Sequence, residues 1–183
     1  MRRIRAGLFM SLDGVVGSPD RWVFPYFTEE VGRAVERSGM EGTDAMLLRR
    51  RTYEELAAYW PGVTAEQDPY AAFINPVHKY VVSNTLRDLP WGPSTLVSGD
   101  VAERIAELKD ESGTAIGISG SITLIGFLLR IWLLDELALL VFPVVIGSGK
   151  RLFEGDEQVP LRLASSETFG NGVLSLTYER VEP

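Results

Sequence analysis

The chain has 183 residues, 45% of them hydrophobic and 23% charged, with a formal net charge of -7. One domain over residues 1–183 with a sizeable core is expected, and the acidic balance supplies no overall field for nucleic acid or an anionic membrane. The absence of cysteine and the single histidine, His78, exclude a disulfide framework, a thiolate zinc site, a cysteine nucleophile and a histidine metal cluster, so redox chemistry has to come from a bound cofactor.

The N-terminal Met1-Arg2-Arg3-Ile4-Arg5 is basic, but the apolar stretch behind it breaks at Asp13-Gly14 and lacks the form of a signal peptide. Residues 4–10 have strand length and run into Ser11-Leu12-Asp13-Gly14, whose Asp-Gly pair signals a turn. Pro25 stands at a plausible first helical turn. Phe27, Val31, Ala34, Val35 and Ser38 follow at helical spacing, and Gly39 supplies a stop. The short apolar run Ala45-Met46-Leu47-Leu48 precedes a helix over residues 52–59, with Tyr53, Leu56, Ala57 and Trp60 on one stripe and Pro61 at its end. Arg49-Arg50-Arg51 occupies the connection.

The alternation continues with strands over 79–83 and 95–98, a helix over 101–109, a strand over 115–119 and a helix over 121–130. This order predicts an α/β fold, a mostly parallel sheet with helices on both faces. Residues 136–145 are β-rich, and 161–168 and 173–180 read as an antiparallel hairpin around Asn171-Gly172. The most apolar region, residues 122–146, is interrupted as a membrane span by Arg130, Asp135, Glu136 and Pro143. A cytoplasmic location is expected.

In an open α/β sheet, ligands bind beyond the carboxyl ends of the strands. Four segments converge there: residues 11–17, 49–52, 83–85 and 119–123. The second brings arginines and a hydroxyl to a helix start, where unpaired N–H groups attract phosphate and guanidinium matches its oxygens. The third offers Ser83, Asn84 and Thr85. The fourth, Ser119-Gly120-Ser121, lets backbone approach a ligand at glycine. Taken alone, three arginines also read as a solvated turn, and Ser-Gly-Ser lacks a full dinucleotide fingerprint. Agreement in position favours the functional reading.

At these segments the chain resembles the dihydrofolate-reductase-like superfamily, in the branch of the C-terminal reductase domain of the bifunctional riboflavin-biosynthesis deaminase-reductase and its stand-alone relatives. The resemblance is carried by Met10-Ser11-Leu12-Asp13-Gly14, Leu47-Leu48-Arg49-Arg50-Arg51-Thr52-Tyr53-Glu54, Lys79-Tyr80-Val81-Val82-Ser83, Ile118-Ser119-Gly120-Ser121 with Leu124, and Asp135-Glu136-Leu137 through Pro143-Val144-Val145-Ile146-Gly147-Ser148-Gly149 to Leu152-Phe153. It implies a three-layer dihydrofolate-reductase-like fold, a homodimer, and NADPH held by Arg50, Arg51, Thr52, Ser83, Asn84, Gly120, Ser121, Ile122 and Thr123. Contacts to the 2′-phosphate would favour NADPH over NADH. Two departures stand out: Arg49 replaces the glycine usual in relatives, and Phe27 stands where the pterin-binding acid of true dihydrofolate reductases would be. Phenylalanine can neither hold nor polarise a pterin for protonation, so classical folate reduction is not expected.

The implied activity is NADPH-dependent reduction of a small heterocycle or carbonyl compound, with a non-catalytic nucleotide- or ligand-binding protein of the same fold as the alternative. Asp13 is the first catalytic candidate, and equally reads as a turn residue before Gly14. Glu29 and Glu30 rank below it as ordinary helix-dipole partners. Trp22, Phe24 and Phe27, with Tyr26, could wall a flat substrate or pack in the core. His78 reads as structural, and Gly147-Ser148-Gly149-Lys150 as a turn typical of the family without Walker spacing, although Lys150 or Arg151 could touch substrate. The apolar run 137–145 and the hairpin could serve dimerisation or simply be buried.

Overall fold

Strand and helix alternate through most of the computed structural model, which describes residues 1–153 and 158–181. The elements are β1 (Arg3–Ser11), α1 (Glu29–Gly39), β2 (Thr43–Arg49), α2 (Arg50–Ala57), α3 (Ala71–Ile74), β3 (His78–Val82), β4 (Ser94–Val97), α4 (Val101–Asp110), β5 (Ala115–Ser119), α5 (Ile122–Arg130), β6 (Glu136–Phe142), β7 (Leu161–Thr168) and β8 (Leu174–Arg180). They build one eight-stranded sheet in the order β4-β3-β2-β5-β1-β6-β8-β7. β1 to β6 are mutually parallel, β8 pairs antiparallel with β6, and β7 antiparallel with β8. The parallel sheet with a C-terminal antiparallel hairpin is the architecture expected from the sequence.

Period-two alternation explains why both faces need helices. On β2, Ala45 and Leu47 join the core beneath α4 and α5, which contribute Ile105, Leu108, Leu124, Ile125 and Leu128. Their neighbours Met46 and Leu48 point to the opposite face and pack with Tyr53 of α2, Ile74 and Trp91. Farther along that face, Val31 and Ala34 of α1 meet Leu140 and Phe142 of β6.

Three differences from the expected boundaries bear on the site. The first helix begins at Glu29, because Phe27 is extended (φ -80, ψ 94) and Thr28 caps the helix by accepting from the Val31 N–H at 3.4 Å; Pro25 lies in a separate 3-10 turn, Phe24–Tyr26. The second helix begins at Arg50, so Arg50 and Arg51 belong to its first turn. β6 ends at Phe142, before Pro143, which has no N–H to donate to a ladder. From Leu137 to Phe142 that strand is buried between β1 and β8, so its apolar side chains are core and offer no free face.

Candidate active site

The carboxyl ends of the six parallel strands define one edge of the sheet, and the segments expected to carry function leave from it. At β2 and β5 two helices start side by side. The Ser121 hydroxyl accepts from the Arg49 N–H at 3.1 Å and donates to Thr52 Oγ1 at 3.1 Å, tying the two turns together in a buried position. Gly120 holds φ 69, and a Cβ there would lie 3.4 Å from the Thr52 methyl, so the glycine turn is pressed against the start of α2. Glycine meets both requirements at once.

The charge and capping of these helices are unusual. Thr28 caps α1, whose first turn holds Glu29 and Glu30, and Asp100 caps α4 with Glu103 in its first turn. Neither Arg49 before α2 nor Ser121 before α5 provides a side-chain cap, and neither first turn contains an acid. α2 opens instead with cations. Arg50 pairs with Glu54 at 3.5 Å and Arg51 with Glu55 at 2.9 Å, both with the cation on the N-terminal side, the less favourable orientation for such pairs. Stability alone would place acids here.

At β3 the Ser83 hydroxyl accepts from the Thr85 and Leu86 N–H groups at 3.1 and 3.0 Å, and Asn84 Oδ1 accepts from the Gly99 N–H at 3.3 Å. These two oxygens shape the loop, and Ser83 is largely covered. Four residues earlier in the chain, near the start of β3, Lys79 is fully buried. Its ammonium donates to the Asn75 and Val77 carbonyls at 2.7 and 2.8 Å and lies 4.3 Å over the Trp91 ring, and burial pushes its pKa down to about 8. The Trp91 N–H donates to the Tyr53 hydroxyl at 2.9 Å, so the lysine cluster supports α2 from beneath. A lysine opening a strand gives no hint in sequence that its head is enclosed.

At β1 and β6 the arrangement is closed. Asp13 accepts from the Ser11 hydroxyl at 2.7 Å and from the Ile146 and Gly147 N–H groups at 3.0 and 2.9 Å, with the Arg151 guanidinium 3.7 Å away. These bonds, the Ser11 hydroxyl foremost, hold its carboxyl down at about 2. It is an ionised clamp between the β1 and β6 loops at neutral pH. Arg151 also donates to the Asp13 carbonyl, and Lys150 accepts from Val16 through its carbonyl at 2.8 Å. Partners this distant in sequence leave no local signal.

The aromatic cluster divides. Trp22 is buried edge-on against Phe142 at 5.6 Å and donates to the Gly17 carbonyl at 3.1 Å, so it belongs to the core. Phe24 is 70% exposed and Phe27 46%, the latter edge-on to Phe9 at 6.3 Å. Those two rings remain available to a ligand. Glu29 and Glu30 sit in the first turn of α1, where Glu29 pairs with Arg33 at 2.8 Å, and His78 Nε2 meets the Thr95 hydroxyl at 3.0 Å.

The model of the RibD C-terminal domain family matches residues 2–175. The chain belongs to that family. The uncharacterized protein YyaP of Bacillus subtilis is 27% identical over 141 residues, covering 74% of this chain and 73% of that protein. A putative riboflavin biosynthesis protein from Shewanella sp. PV-4 superposes with a TM-score of 0.73 at 23% identity, each chain covered completely. The dihydrofolate reductase of Enterococcus faecalis, solved with NADP(H), superposes with a TM-score of 0.63 at 15% identity over 98% of this chain and 97% of that one. The fold is dihydrofolate-reductase-like and the family is of reductase type.

Two open concavities of about 370 and 390 Å³ lie elsewhere on this RibD C-terminal-domain protein. One is bordered by Arg3, Asp135, Glu179 and Arg180 at the amino ends of the strands, the other by Arg37, Ser166 and Thr177 beside the hairpin. Neither touches the carboxyl edge. Among the described residues no group of three His, Cys, Asp or Glu side chains is placed to hold a metal, and no helix is long and apolar enough to cross a membrane.

Proposed function

We propose that the protein is an NADPH-dependent reductase of a small heterocyclic or carbonyl compound. One observation carries the reading: the two helices meeting at the β2 and β5 ends start without caps or acids, and one begins with arginines. Bare N-termini and guanidinium groups fit a dinucleotide's phosphates and would be stabilised by them. Arg50, Arg51 and Thr52, with Ser83 and Asn84, would hold the 2′-phosphate side. Gly120, Ser121, Ile122 and Thr123 would underlie the pyrophosphate. The bound cofactor would supply hydride.

The chain's own residues prepare the other half. Phe24 and Phe27 present exposed rings suited to a planar substrate. Asp13 stands at the nicotinamide and substrate end as a positioning residue, because its carboxylate fixes the Ile146 and Gly147 backbone and stays ionised. A cytoplasmic homodimer joined along the exposed outer strand β7 completes the proposal, and light scattering tests the dimer.

Titration calorimetry with NADPH tests the cofactor, and the absence of binding to folded protein would end the proposal. NADPH oxidation across pterins, pyrimidines and quinones tests turnover. A non-catalytic ligand-binding protein of this fold draws support from Asp13, the sequence's best acid, being committed to the loop. Sustained turnover of any compound excludes it.

A further inference from the structure

Arg49 departs from the glycine expected by resemblance, and its surroundings suggest what it does. Its backbone is extended (φ -82, ψ 159), a conformation open to any residue, so a side chain is accommodated without strain. Its N–H is held by Ser121, which places its Cα beside the glycine turn and the start of α5. Arg50 and Arg51 are directed along α2 toward Glu54 and Glu55, whereas no carboxylate pairs with Arg49 among the described residues. It is exposed, and its backbone lies between two uncapped helix starts.

We propose that Arg49 is a clamp on the pyrophosphate of the dinucleotide, dividing labour with Arg50 and Arg51, which read the 2′-phosphate. This rests on the cofactor placement proposed above and adds a residue that the family resemblance does not assign. The reason is positional. Arg49 is tethered to the 119–123 turn, and Arg50 and Arg51 lie past it on α2. A planar fork beside a glycine turn can donate to phosphate oxygens on the side that the backbone leaves open. The pyrophosphate is common to NADP⁺ and NAD⁺, so Arg49 contributes affinity without selecting between them.

The experiment is calorimetry of NADP⁺, NAD⁺ and ADP against wild type, Arg49→Gly and Arg49→Gln, with circular dichroism to confirm folding. Glycine restores the residue usual in relatives, and glutamine keeps bulk while removing charge. Both variants are expected to bind all three ligands about tenfold more weakly, the size of one charge-assisted contact at an exposed site. Arg50→Ala serves as the contrast and should weaken NADP⁺ selectively. Unchanged or tighter binding in Arg49→Gly overturns the clamp, as does a loss confined to NADP⁺. If wild type binds neither dinucleotide, the cofactor placement itself fails, which is a separate result.

Discussion

The carboxyl edge of the sheet has two halves built on opposite principles. At β1 and β6 the polar atoms of Asp13 and Ser11 meet protein partners, and Arg151 and the backbone close the loop. At β2 and β5 the helices start uncapped and arginines face the positive ends of their dipoles. Satisfied groups rigidify a surface, whereas helix starts without caps or acids favour an anion. Of the three arginines there, Arg50 and Arg51 pair with Glu54 and Glu55, while Arg49 has no carboxylate partner among the described residues. The open half is suited to an anion, and the closed half to holding a fixed wall beside it.

The largest expected effect would break this contrast at its cationic side. Arg50→Ala or Arg51→Ala should weaken NADPH about 10- to 100-fold and NADH far less, measured by titration calorimetry. Equal losses for both would show the 2′-phosphate assignment to be wrong. The same variants should melt no lower than wild type, since each removes a cation from the positive end of α2 together with an exposed ion pair.

Ser121→Ala should unlink the open half. It removes two hydrogen bonds in a buried position and should cost about 1–3 kcal/mol in chemical denaturation. A neutral result would mean that the tie between α2 and α5 is dispensable.

Asp13→Asn sharpens the closed half through pH. The wild-type carboxyl titrates at about 2 against an ordinary 3.8, so its contribution is present above the ordinary value and lost as pH falls through the folded one. Wild type should therefore lose more stability than Asp13→Asn between those two pH values, followed by thermal melts. A catalytic acid would instead appear as a titration near neutrality in the pH–rate profile.

The smallest effect concerns Lys79, whose pKa of about 8 lies below the ordinary 10.5. Between the two, the unfolded chain binds more protons than the folded one, so this group's contribution to stability rises with pH. Wild type should gain stability relative to Lys79→Met from pH 8 to 10, and a parallel pH dependence would place the lysine in solvent.

Much of this was legible in the sequence. Hydrophobic period and turn residues such as Asn171-Gly172 predicted the parallel sheet, its flanking helices and the terminal hairpin, because strand alternation and turn chemistry are local properties. Residue order likewise placed Arg49 to Thr52 and Ser119 to Thr123 at strand ends. The identity of the family followed from ordered short motifs. Partners distant along the chain were not legible. The enclosure of Lys79 by residues 75–93, the burial of Trp22 against Phe142, and the clamping of Asp13 by Ile146 and Gly147 depend on which surfaces the fold brings together. The capping of α1 by Thr28 and of α4 by Asp100 is local, each bond spanning three residues, and only the link from Ser121 to Arg49 and Thr52 at the bare starts needed the fold. Composition fixes which groups are available. Only packing decides which of them are committed to partners within the fold.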